Sequence, residues 1–115
     1  MHIEQFRDYC LTKKGVTEDF PFDELTLCVR VMWKIFAITG LDAANFSVNL
    51  KCDPDYAVEL RERYPEITPG WHMNKKHWNT IIIDGSVSGN IIKEWIDHSY
   101  ELIDAGNKPL KKKKP

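Results

Sequence analysis

The sequence predicts an α+β fold: a two-layer α/β sandwich with an antiparallel sheet of about five strands, in the order α-β-β-β-α-β-β-α. Three observations carry this. Segments such as "LTLCVRVM" alternate apolar and polar residues, the period of a half-buried strand. The first three strands are joined by connections too short for parallel crossovers. Three amphipathic helical stripes are available to cover one face of the sheet and leave the other partly open.

The first helix is read from Ile3, Phe6 and Cys10, one helical face with Leu11 beside it, with Lys13 and Lys14 at its C-terminus and Gly15 as its cap. "VTEDFPFDE" is acidic and turn-rich. In the first strand Leu25, Leu27, Val29 and Val31 share one side. "WKIFAIT" is the second strand, with Phe36 and Ile38 on the side of Lys34. "NFSVNLK" is the third, with Phe46, Val48 and Leu50 inward and Asn49 and Lys51 outward. Asp53-Pro54 opens a helix as N-cap and N1, with Ala57, Leu60 and Tyr64 inward and Pro65 at its end. "EITPGWHM" and "WNTIIID" are two further strands flanking a Lys75-Lys76 corner. The last helix starts near Ser88 or Asn90 and is expected to bury Ile91, Ile92, Trp95, Ile96, Ser99, Leu102 and Ile103 before Gly106 and Pro109.

The chain has 115 residues, 43% hydrophobic and 29% charged, ordinary for one soluble globular domain. That domain is expected over residues 1–107, with 108–115 a lysine-rich flexible tail. No apolar run approaches the roughly 20 residues of a membrane span. The N-terminal segment lacks the apolar centre of a signal peptide, so a cytoplasmic monomer without membrane association is expected. Cys10, Cys28 and Cys52 form no CxxC pair and read as buried thiols. The net charge of −1 hides an asymmetry. Five lysines fall in residues 108–115, which leaves residues 1–107 with 11 Lys and Arg against 17 Asp and Glu, near −6. A phosphate-binding surface on such a body must be a local patch.

"GWHMNKKHWNT", from Gly70 to Thr80, concentrates the candidate chemistry. His72 and His77 do not have the i, i+4 spacing of a helical metal pair, and no cysteine lies near, so no metal is expected. Asp97-His98-Ser99 are consecutive on a helix, where successive side chains diverge by about 100°, and cannot line up as a relay. There is no glycine-rich phosphate loop. No catalytic residue, enzymatic activity or cofactor is therefore expected. Lys34, Lys51, Lys75 and Lys76 converge on phosphates if the open face carries them, with Trp71 and Trp78 available to stack on bases. The bland reading makes the tryptophans core. The corner itself reads as structural: Trp78 and Met73 anchoring it, Lys75 and Lys76 pointing outward, and His72, Asn74 and His77 fixing the turn by hydrogen bonds to backbone.

"GVTEDFPF", "WKIFAI", "VNLKCDPDYAVELRERY", "ITPGWHMNKKHWNTI" and "IDHSYELI", in this order, resemble the MmcQ/YjbR family of small bacterial proteins over about residues 1–105. The resemblance implies an α+β fold similar to CyaY-like and secretion-chaperone-like domains. It also implies DNA binding, through likeness to a double-wing DNA-binding domain of a phage transcription activator. Carried over with it are Lys34 and Phe36, Lys51 with Asp53-Pro54, His72 through Asn79 (with Asn74, His77 and Trp78), and Ser99-Tyr100. The chain departs at Met32-Trp33, where the family commonly has a glycine-containing turn. The expected function is a non-enzymatic DNA-binding domain with Lys34, Lys51, Lys75 and Lys76 on phosphates. The alternatives are a protein-interaction module whose partner is unidentified, using the open face or the Trp33 region, and a small-molecule site near His72, Lys51 and Tyr100.

Overall fold

The computed structural model describes residues 1–42, 45–70 and 73–106. Trp71, His72 and the lysine-rich segment lie outside the described residues. The elements are α1 (Ile3–Leu11), β1 (Thr17–Asp19), β2 (Thr26–Val31), β3 (Lys34–Gly40), β4 (Ser47–Lys51), α2 (Pro54–Arg63), β5 (Ile67–Pro69), β6 (Trp78–Ile82) and α3 (Gly89–Gly106). The strands form one antiparallel sheet in the order β1-β2-β3-β4-β6-β5.

The five expected strands are present, and β1 adds a short sixth at the edge. Its sequence, Thr-Glu-Asp, carries no apolar alternation. Ion pairs to neighbouring elements hold it instead: Arg7 of α1 to Glu18, and Arg30 of β2 to Asp19 at 3.0 Å. Two caps set the helices. Asp53 accepts hydrogen bonds from the Asp55 and Tyr56 N–H groups ahead of Pro54, as its sequence position predicts. His2 and Gln5 form a reciprocal capping box on α1.

All three helices pack on one face of the sheet. Phe6 and Cys10 of α1, Ala57 and Leu60 of α2, and Ile92, Trp95, Ile96, Tyr100 and Ile103 of α3 share a core with Val29, Val31, Phe36, Ala37, Val48, Leu50, Ile67 and Ile81. Burial pushes the thiols of Cys10 and Cys52 up to about 12, so both behave as small apolar side chains.

The strict alternation expected for "WKIFAIT" fails at one point. The register between β2 and β3 shifts between Val29 and Arg30, with Val29 opposite Ala37 and Arg30 opposite Ile35. Phe36 is the extra residue of this β-bulge, so it and Ala37 are both buried against the helices. Phe36 meets the Tyr100 ring edge-on at 5.8 Å. Ile38 falls on the opposite, open face, half-buried beside Cys28 and Asn49.

The β2–β3 connection is a two-residue hairpin of Met32 and Trp33, with φ of 54° and 71°. Both residues are left-handed, the geometry that Asn-Gly supplies at no cost. For L side chains it costs roughly 1–2 kcal/mol per residue. Arg30, already paired with Asp19, donates a hydrogen bond to the Trp33 carbonyl at 2.9 Å and holds the tip in place.

Candidate nucleic-acid interface

In the antiparallel order β3-β4-β6, the start of β3, the end of β4 and the start of β6 lie at one end of the sheet. Lys34, Lys51 and the Lys75-Lys76 corner therefore come to one end, with the Met32-Trp33 tip. The turn after α1 joins them: Gly15 (φ 78°) sits against Val31, which pairs with Lys34, and Lys14 precedes it. Lys14 is exposed; its sequence context marks it only as a basic residue after the first helix, not as a neighbour of the other lysines.

The lysines do not all share the open face. Lys51 pairs with Trp78 there, its ammonium 5.5 Å from the indole centroid. Lys34 pairs with Val31, a core residue, so register assigns it to the helix side at the sheet's end. Lys76 is exposed. Lys75 departs from the outward orientation expected of it: its ammonium turns back to donate to the Gly70 carbonyl at 3.1 Å.

The corner is fixed chiefly by a residue that sequence reasoning passed over. Arg61 of α2 donates from Nε to Asn79 Oδ1 at 2.7 Å, and from Nη2 to the carbonyls of Lys75 and Trp78. Asn79 is only 1% exposed and its Nδ2 donates to the Ala57 carbonyl at 3.4 Å. Asn74 fixes the turn as expected, its Oδ1 accepting from the Lys76 N–H at 2.9 Å. His77 contributes main chain: its N–H donates to the Asn74 carbonyl and its carbonyl accepts from the Cys52 N–H. Trp78 is half-buried against Lys51 on the open face, so Asn79, not Trp78, is the corner's buried anchor. The expectation for His72 lies outside the described residues.

Ser99 and Tyr100 are structural. The Ser99 hydroxyl donates to the Lys51 carbonyl, and the Tyr100 hydroxyl to the Lys14 carbonyl at 2.6 Å. Both tie α3 to backbone beneath the lysines. Lys51 reaches the open face while Tyr100 is buried in the helix layer, so these two do not line one concavity. The space beside Lys51, Cys52, His98 and Ser99 is about 10 Å³, room for about one water. A larger cleft, about 520 Å³, lies between α1 and the start of α3; Lys93 lines it, and Lys34, Lys51, Lys75 and Lys76 do not. Among the described residues no three His, Cys, Asp or Glu side chains form a metal-binding group, and no helix is long and apolar enough to cross a membrane.

His98 supports the same end from below. Its Nε2 accepts the Asp53 N–H at 3.1 Å, just beyond Lys51, and its ring meets Tyr56 edge-on at 4.7 Å. Burial holds its imidazole below the ordinary range, opposed in part by the Asp53 carboxylate. A depressed folded-state value stabilises the fold above the unfolded histidine value of about 6.5. That contribution is lost as pH falls through the folded value. Urea midpoints measured between pH 7.5 and 5 are expected to fall, and His98→Gln to flatten the fall; an equally steep fall in the variant would assign the effect elsewhere.

An open antiparallel sheet backed on one face by three helices, with lysines brought to one end, defines a small α+β domain. The chain belongs to the YjbR family, whose sequence model matches residues 11–102. It is similar to the protein YjbR of Escherichia coli (strain K12), 31% identical over 101 residues, 88% of this chain and 86% of that one. It is also similar to YbdF of Escherichia coli O157:H7, 32% identical over 103 residues, 83% and 84% of the two chains. Among solved structures, Deinococcus radiodurans protein DR2400 superposes with a TM-score of 0.86 at 33% identity, covering 92% of this chain and 80% of that one. A Pseudomonas syringae protein gives 0.75 at 28% identity, covering 89% and 98%.

Proposed function

We propose that this chain is a non-enzymatic DNA-binding domain that takes phosphates at one end of its sheet through Lys34, Lys51 and Lys76, with Lys14 beside them. The observation that supports this is where the unpaired cations stand. Of the 11 Lys and Arg in residues 1–107, Arg7, Lys13, Arg30 and Arg63 are ion-paired and Arg61 is spent on the corner. Lys14, Lys34, Lys51, Lys75 and Lys76 stand at this end, and among the described residues none lies within ion-pair distance of a carboxylate; Lys93 alone of the rest is elsewhere. The Asp53 carboxylate, close in sequence to Lys51, is turned to the N-terminus of α2. Within a body near −6, this leaves one local surface suited to a polyanion.

Duplex binding followed by fluorescence anisotropy is expected to weaken with salt at a log–log slope of about −3.6 for four phosphates. Replacing Lys34 and Lys51 by alanine together should bring it to about −1.8. Binding must survive glutamine at the five lysines of residues 108–115. Its disappearance there would assign the attraction to that segment and remove the role from the sheet end.

A further inference from the structure

We infer that Trp33 is a stacking residue for unpaired bases, so that this end of the sheet takes single-stranded or locally opened nucleic acid; the inference rests on the phosphate-binding reading above. Trp33 is 91% exposed at the hairpin tip, in a left-handed conformation that opposes its residue type. Nothing in the hairpin's own packing calls for an indole there. A strained position kept by a large exposed side chain, and braced by the Arg30 guanidinium on its carbonyl, points to use of the ring itself.

The surroundings select the partner. The other described tryptophans are committed: Trp78 lies under the Lys51 ammonium, and Trp95 is buried against Tyr64. Trp33 is followed at once by Lys34, exposed and, among the described residues, not within ion-pair distance of a carboxylate, and Lys14 stands behind the adjoining Val31–Lys34 rung. An apolar pocket on a protein would satisfy the ring and leave these ammoniums to be desolvated or answered separately. In a nucleic-acid strand each base is covalently tied to a phosphate, so one nucleotide satisfies both ring and ammonium. A closed duplex offers no free base face to the ring without unstacking, whereas a single strand does.

The test compares the full chain with Trp33→Ala, Trp33→Phe and Trp33→Gly on an oligo(dT) strand and on a duplex of equal length, at one salt concentration. Trp33→Ala is expected to weaken binding to the single strand about tenfold and to leave duplex binding within about twofold. Trp33→Phe should keep most of the single-strand affinity. Trp33→Gly relieves the left-handed backbone and should raise Tm by about 4–8 °C while losing single-strand affinity as alanine does. A merely structural tryptophan would not give that opposition. If Trp33→Ala binds both oligonucleotides like the parent, with the parent's salt slope, the stacking role is overturned and the phosphate reading stands. If neither oligonucleotide binds the parent at low salt, both fall. A Trp33-dependent dimer in sedimentation, with no single-strand loss in the variants, would give the ring to a second copy and overturn the inference.

Discussion

Arg61→Ala is expected to destabilise the fold by about 3 kcal/mol, a drop in Tm of about 10–20 °C for a domain of this size. The argument is one of satisfaction, not of charge. The Arg61 Nε–H is the donor that reaches Asn79 Oδ1, and Asn79 is buried on the helix side of the sheet in the rung between Leu50 and Pro69. Without Arg61 that oxygen keeps its desolvation and loses its partner, and the Lys75 carbonyl loses its charged donor. Arg61→Lys should rescue little, because one ammonium cannot span the Asn79 side chain and the Lys75 carbonyl as a planar guanidinium does. The sharper measurement is a double-mutant cycle. Once Asn79→Leu has removed the oxygen, Arg61→Ala should cost at least about 1 kcal/mol less than in the parent. Additive losses would mean that the two side chains do not act as a unit. Because Arg61 holds the Lys75 carbonyl and Asn79, and so the corner of residues 74–76, the proposed DNA binding would have Arg61→Ala weaken duplex affinity although Arg61 is not among the proposed phosphate contacts.

What could be read from the sequence, and what could not, divides along the range of the interactions. The strands of Val29, Val48 and Leu50, the cap of Asp53-Pro54 and the stripe of α3 announce themselves because their causes lie within a few residues of one another. The strand β1 is hidden because its three residues are polar and are held by arginines 11 positions away. The bulge at Phe36 is hidden because it exists only in the register of β2 against β3. Arg61 looks like any charged residue in the last turn of a helix; its partners lie 14, 17 and 18 residues on, in β6 and the corner that leads into it. Trp33 is the converse case. Its hydrophobicity argues for burial, and only the two-residue hairpin sends it outward. Lys34, Lys51, Lys75 and Lys76 are expected on the open face from alternation alone; the register instead puts Lys34 and Lys51 on opposite sides at one end, and the Lys75 ammonium turns back to the Gly70 carbonyl.

Gly70→Ala should cost about 2–3 kcal/mol and displace the corner, for a reason that is steric rather than conformational. Gly70 is not among the residues with positive φ, so its backbone is open to any L residue. A Cβ placed there, however, would lie 2.7 Å from the Trp78 Cβ and 3.1 Å from the Trp78 carbonyl oxygen. Neither is the far end of a flexible side chain; one is fixed to the backbone and the other belongs to it. Relief therefore requires β5 to move away from β6. That movement stretches the Gly70 N–H bond to the Trp78 carbonyl, 2.8 Å, and carries off the Gly70 carbonyl that receives the Lys75 ammonium. Gly89→Ala is the control, since nothing lies within 4 Å of its Cβ at the start of α3; alanine there should be neutral or slightly stabilising. Amide shifts in the Gly70 variant should concentrate at residues 74–82 and spare α1. Tm within about 2 °C of the parent, with unshifted amides at Lys76 and Trp78, would mean that the close approach of the two strands is not what seats the cationic corner.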